Sequence, residues 1–324
     1  MLNAEKLGMV QMKKIRNSTW IKKYIPFILL FIAIIAVSFA APLVVLIQEY
    51  DVSSEIVAMY RTLFAGIGAF VISIMNKDVK WLKSEKTIKR YHWIVLSGIL
   101  LGIHFATWFL SLRFISVAIS TTLVDTVPIF MAIFGFLFFR ERVNWIGVTG
   151  IVIAIVGSVL LTLSTSQSSD SINPLLGGIL AVIGAVTVSF YFLIGKKILK
   201  DSPLWPYFGV VNIVSAVALM FYNLVQRNSF VFPGKAFLFI ILMALGPSLI
   251  GHATYNYSLR KIPAFIVGTV IVAEPIGATI LGIVFLDQIP ELITLAYALI
   301  VIIGIGLTSI SQNLKKTKEE LGAE

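Results

Sequence analysis

Charge is absent from this chain in ten long blocks, and no other feature of the sequence narrows its fold as much. Tyr24 to Gln48 contains no Asp, Glu, Lys or Arg, and Ile56 to Asn76 contains only Arg61. Tyr91 to Leu112 is clear, and Phe114 to Phe139 has only Asp125. Val143 to Ser169 and Ser171 to Gly195 are clear too, with the polar, Ser-rich stretch Ser164 to Asn173 between their apolar cores. Ser202 to Gln226, Ala236 to Leu259 and Leu292 to Leu314 hold no charge, and Ile262 to Leu286 holds only Glu274. About 20 apolar residues cross the hydrocarbon core of a bilayer. No water is available there to bond the backbone, so a lipid-exposed span is a helix or a closed barrel. Runs this long and continuously apolar exclude barrel strands. The blocks predict an all-α integral membrane protein of ten transmembrane helices, spans 1 to 10. Composition agrees: 13% of residues are charged, against about 25% in soluble domains.

The first block has a rival reading as a cleavable signal peptide ending at Ser38-Phe39-Ala40. Its apolar run continues to Ile47, too long for a signal peptide's apolar core. The chain has no cysteine, which excludes disulfides, thiolate metal sites and cysteine nucleophiles together.

The net charge of +10 marks topology. With the N-terminus inside, the inner segments hold 22 Lys and Arg, and the outer loops hold 3, Arg113, Arg227 and Lys235. Basic residues gather on the cytoplasmic side of membrane proteins. Both termini are therefore expected in the cytoplasm, beneath a cell membrane with an anionic inner leaflet, and no nucleic-acid partner is expected. Trp20, Tyr24, Tyr91, Trp93, Trp145, Trp205 and Tyr207 fall near span ends, as an interfacial aromatic belt requires.

Ser111-Leu112-Arg113 recurs as Ser258-Leu259-Arg260, an offset of 147 that also pairs Pro128 with Pro275, Gly135 with Gly282 and Gly157 with Gly304. Five spans per half is an odd number, so the second half enters the membrane upside down. The expected organisation is a basic segment 1–23, a first five-helix repeat 24–163, a second, inverted repeat 174–312 and a charged tail 313–324. Inverted repeats are an architecture of alternating access.

These residues resemble the ten-helix, EamA-type exporters of the drug/metabolite transporter superfamily. Tyr60-Arg61 matches that family's helix 2 Arg, and the two Ser-Leu-Arg segments approximate the motif opening helices 4 and 9. Pro128 to Glu141 matches a mid-helix Pro closed by an acid. Glu274-Pro275 begins the second copy, which departs from the pattern at Gln288, beside Asp287. The resemblance covers residues 24 to 312. It implies a central cavity lined mainly by spans 1 to 4 and 6 to 9, with spans 5 and 10 peripheral.

Arg61, Asp125 and Glu274 are the three charged residues inside the blocks. A charge near the bilayer centre costs about 2.5–3.5 kcal/mol on insertion scales, so each should face the bundle interior or a partner. Arg61 and Asp125 lie at similar depths, roughly 12–14 Å from the outer ends of their spans, and are expected to pair. Glu274 precedes Pro275, whose ring frees a backbone carbonyl and bends a helix; a carboxyl there suits a proton or an ammonium group. Arg61 also reads as a packing residue, Asp125 as its mere partner, and Glu274 as structural. His104, Trp108, His252, Asn212 and Asn256 are further substrate or coupling candidates, with plain packing the alternative for each, and Pro128 and Pro275 are candidate hinges. Gly150, Ala154 and Ser158, and Gly177, Ala181 and Ala185, form small-residue stripes that permit close contact within the chain or at a dimer seam; monomer and homodimer both remain open.

No catalytic residue, metal site or cofactor is indicated. No phosphate-binding Walker loop appears, and His92, His104 and His252 share no ligand spacing. The expected function is secondary active transport, export of a small metabolite such as an amino acid, coupled to protons or to exchange. An amino acid's carboxylate would sit at Arg61 and its ammonium at Glu274 or Asp125. A non-transporting receptor or scaffold and an intramembrane enzyme are the rivals.

Overall fold

The computed structural model describes residues 19–115, 117–165, 173–286 and 292–320. Most of the basic N-terminal segment, the middle of the Ser164 to Asn173 stretch, Asp287 and Gln288, and the last four residues lie outside the described residues. Regular structure among the described residues is helical. Eight helices are long and apolar enough to cross a membrane: Ile25–Val44, Ser54–Met75, Tyr91–Ser111, Pro174–Leu199, Leu204–Gln226, Gly234–Ser258, Ala264–Phe285 and Leu292–Ser311. The shorter apolar helices Val127–Phe139 and Trp145–Leu161 supply spans 4 and 5. The first block packs as a span, burying Leu30, Ala33 and Val37 against spans 8 and 9.

The packing follows the inverted repeat. Span 3 packs on span 6 as span 8 packs on span 1; span 3 meets span 7 as span 8 meets span 2. Spans 2 and 7, 5 and 10, and 4 and 9 pack against each other as repeat mates. At the seam of spans 5 and 10, a side chain at Gly304 would meet the Ala154 backbone nitrogen at 2.4 Å, and one at Gly157 would meet that of Val301 at 2.8 Å. Those two contacts are themselves repeat mates. The stripe on span 5 is thus occupied within the chain: Gly150 faces Thr308, and Ser158 is fully buried. On span 6, Gly177 receives Ile115.

Four spans are not continuous α-helices. Span 1 is interrupted at Phe39, between Thr19–Ser38 and Ala40–Gln48. Span 4 divides into Val117–Val124 and Val127–Phe139, and span 9 into Ala264–Ile271 and Glu274–Leu286. The sequence suggests a bend at each proline, but the helices break just ahead of Pro128 and Pro275. Proline has no N–H to donate and fits the first turn of a helix, where that donor is unused anyway. Span 8 runs as Gly234–Met243, a π-helix Ala244–His252 and Ala253–Ser258. Pro247 lies inside the π-helix, where it removes one donor from the usual ladder. Single π turns recur at functional sites.

The two ends of the bundle are tied differently. At the lysine-rich end Glu141 forms an ion pair with Lys196. Its other oxygen accepts the Ala264 backbone N–H at 2.8 Å, at the start of span 9, and Lys196 also donates to the Ile262 carbonyl at 3.0 Å. Lys86 and Arg90 both pair with Asp201 and hold its carboxyl down at about 2. At the opposite end Arg113 pairs with Glu55, whose backbone carbonyl accepts from Asn223 at 3.1 Å. The repeat mate of Arg113, Arg260, donates to the Ser202 carbonyl; burial lowers its guanidinium below its ordinary value.

Candidate functional site

The three charges of the otherwise uncharged blocks sit at or against the helix breaks and the π-helix. Arg61, on span 2, is buried and donates from Nε to the Ser248 hydroxyl of the π-helix at 2.9 Å. Its guanidinium lies over the Phe105 ring, 5.0 Å from the centroid. The two terminal nitrogens of the fork have no hydrogen-bond partner among the described residues.

Asp125, at the break in span 4, is also buried and accepts from the Ser158 hydroxyl of span 5 at 2.5 Å. The ion pair expected between Arg61 and Asp125 is therefore absent; each charge has taken a serine instead. A shared depth fixes height in the membrane but not the face of the helix. Span 5, peripheral by resemblance, reaches the site through Ser158. Glu274 opens the second segment of span 9 and is half-buried. Its carboxylate has no hydrogen bond or ion pair among the described residues. It is within electrostatic reach of both Arg61 and Asp125.

An aromatic wall surrounds these charges. The Nδ1 of His104 lies 2.9 Å from the Gly184 carbonyl of span 6. A carbonyl can only accept, so Nδ1 carries the hydrogen and Nε2 is left as an acceptor. Trp108 stacks on His104 with ring centroids 6.0 Å apart and on Phe109 at 4.9 Å. His252 lies against Phe105, Phe192 and Tyr255, at 6.2–6.4 Å between centroids. The indole N–H of Trp108 and the hydroxyl of Tyr255 are both buried without a partner. They are repeat mates, 147 residues apart. A buried polar group left unpaired costs about 1–3 kcal/mol, so two such donors beside a free carboxylate and a free guanidinium fork mark a place for a polar ligand.

Two candidates fall outside this group. Asn212 bonds back to the Phe208 carbonyl of its own helix at 2.9 Å. Asn256 joins span 8 to span 6 through the Tyr191 hydroxyl at 2.5 Å. Among the described residues no three of His, Asp and Glu converge to hold a metal ion. Ser158, Ser248 and Tyr255 escaped the sequence reading. Ser158 stood among the small-residue stripes, Ser248 follows Gly246-Pro247 in an otherwise apolar span, and Tyr255 is marked only by its offset from Trp108.

Comparison with known proteins agrees with this architecture. The sequence model of the EamA-like transporter family matches twice, at residues 25–163 and 175–310. The uncharacterized transporter YxxF of Bacillus subtilis (strain 168) is 25% identical over 264 residues, covering 78% of this chain and 79% of that protein. An uncharacterized transporter of Archaeoglobus fulgidus is 26% identical, covering 76% and 84%. Mouse solute carrier family 35 member G1 is 23% identical, covering 63% of this chain and 57% of that one. A crystal structure superposes with a TM-score of 0.75 at 17% identity, covering 88% of this chain and 97% of its own, a likeness of fold.

Proposed function

Since the chain belongs to the EamA-like transporter family, we propose that it is a secondary active transporter that exports a small zwitterionic metabolite, such as an amino acid, by alternating access. The observation that carries this reading is the fork of Arg61 and the carboxylate of Glu274, both without partners among the described residues and within electrostatic reach of each other. A guanidinium fork matches a carboxylate with two parallel hydrogen bonds, and Glu274 or Asp125 receives the ammonium. The two halves then exchange conformations about the broken spans 4 and 9, with Pro128 and Pro275 beside the hinges, and present the site to each side in turn. Protons or a counter-substrate drive net movement.

The basic end lies in the cytoplasm in this reading, with both termini there. Counterflow of pooled labelled amino acids into proteoliposomes tests transport: accumulation that depends on internal unlabelled amino acid supports it, and none from any pool defeats it. Orientation is tested by single cysteines, for which the cysteine-free chain gives no background. Cysteine placed at Lys83 should react with an impermeant reagent only after the cell is permeabilised.

A further inference from the structure

The charges of the site do not balance. Arg61 contributes one positive charge and Asp125 and Glu274 contribute two negative ones; the other charged side chains of the spans, Glu55, Lys196, Lys197 and Lys235, lie in their end turns. His104 is committed through Nδ1 to the Gly184 carbonyl, and His252 is walled by aromatic rings. Tyr255 is within electrostatic reach of Glu274, and its hydroxyl is buried without a partner. Spans 1, 5 and 10 bring no charged side chain to the centre; span 5 brings Ser158 and span 6 Tyr191. With all three charges ionised, the site holds one uncompensated negative charge in a medium where an unpaired charge is strongly disfavoured.

Resting on the reading of this site as the substrate site, we propose that its substrate is a small organic monocation bearing a carboxylate, an amino acid with a basic side chain, and that one proton occupies the carboxyl pair when the substrate is absent. The bound state is then neutral: the carboxylate lies on the fork of Arg61, and the two cationic groups lie on Glu274 and on the Asp125 oxygen not bonded to Ser158. The empty state is neutral as well, with the proton on one carboxyl. Arrival of the substrate sends that proton to water, and its departure takes one back, so monocation and proton exchange one for one. A neutral zwitterion leaves one carboxylate unpaired, and an acidic amino acid leaves two negative charges unbalanced.

Purified protein in detergent tests this by equilibrium binding of labelled lysine and labelled leucine, with proton release followed in lightly buffered solution. Lysine should bind at least about tenfold tighter than leucine and release about one proton per molecule bound. Asp125→Asn and Glu274→Gln each bring the site to neutrality without substrate, so each should reverse the preference toward leucine and abolish the release. A gain of leucine binding is something a misfolded variant cannot show. Tighter leucine binding by the wild type, lysine binding without proton release, or an unchanged preference in both variants would overturn the proposal. Counterflow of leucine but not lysine defeats it while leaving the transport reading intact; absence of flux for every amino acid defeats both.

Discussion

The two halves of the molecule share a backbone and differ in their chemistry. Where the 147-residue offset matches, the residues shape the chain: Pro128 and Pro275 start half-helices, and Gly157 and Gly304 allow spans 5 and 10 to touch. Where it fails, the chemistry sits. Arg61 has Phe208 as its mate, Asp125 has Val272, Glu274 has Val127, Ser248 has Leu101, and His252 has Phe105. The repeat supplies two equivalent hinges and one central site, and each half furnishes different charges to it. A duplicated fold thus gains an asymmetric site by substitution alone, because each helix break exposes the same depth from both halves.

The sharpest way to break this contrast is at Glu274, the unmatched acid with no partner. Glu274→Gln should reduce concentrative transport to background while expression and melting stay close to wild type, because no hydrogen bond is lost. Exchange across the membrane can survive. Undiminished concentration by the variant would make Glu274 a structural residue. A smaller, purely energetic effect is expected at the lysine-rich latch. Glu141→Gln keeps an acceptor for the Ala264 N–H but leaves the mostly buried Lys196 unpaired. Hydrogen bonds to charged groups are worth about 1.5–3 kcal/mol, so the melting temperature in detergent should fall, and adding Lys196→Gln should restore part of it. No fall, or strictly additive losses, would mean the latch is not coupled.

At the opposite end the same test should give less. Arg113 is 44% exposed in its pair with the buried Glu55. The cation that loss of Glu55's charge leaves unpaired therefore stays in contact with water, at a cost of about 0.2–1 kcal/mol, near that of an exposed pair. Glu55→Gln should therefore shift melting less than Glu141→Gln, and a larger shift would reverse the ranking of the two ends. The smallest effect belongs to Asp201, 41% exposed between Lys86 and Arg90. Those cations depress its carboxyl from 3.8 to about 2. A depressed carboxyl stabilises the fold above its ordinary value, and that contribution is lost as the pH falls through the depressed one. The slight loss of melting temperature in Asp201→Asn should be constant near neutrality and shrink toward zero as the pH drops from about 4 to 2. A difference that grows with acid would refute the assignment.

The ten spans and the inverted repeat were legible because burial in lipid forbids charge over whole helices, and that signal is one-dimensional. The candidate site was legible as a set of depths: Glu274, His104 and His252 come within electrostatic reach of Arg61, Asp125 within reach of Glu274, and Trp108 stacks on His104. Their partners were not. Whether Arg61 meets Asp125 or Ser248 depends on which helix faces which, a tertiary choice that no spacing within one span encodes. The breaks ahead of Pro128 and Pro275 read as bends, since a proline marks a lost donor without saying whether the chain kinks or stops. Asn212 and Asn256 looked like site residues because an intramembrane amide is costly, yet a carbonyl one turn earlier or a tyrosine on the next helix accepts from the amide nitrogen of each.

The wide winding of Ala244–His252 makes the length of span 8 a variable that its neighbours lack. A π-helix carries an extra residue in each turn, so loss of one residue there could be absorbed by reverting to ordinary winding, with both flanks still helical. Each residue adds about 100° of rotation to a helix. Such a deletion would re-aim Ser248, which lies within the wide turns, while leaving the membrane crossing intact. Among these spans, the eighth is the one whose indels would be read out as altered selectivity before they are read out as misfolding.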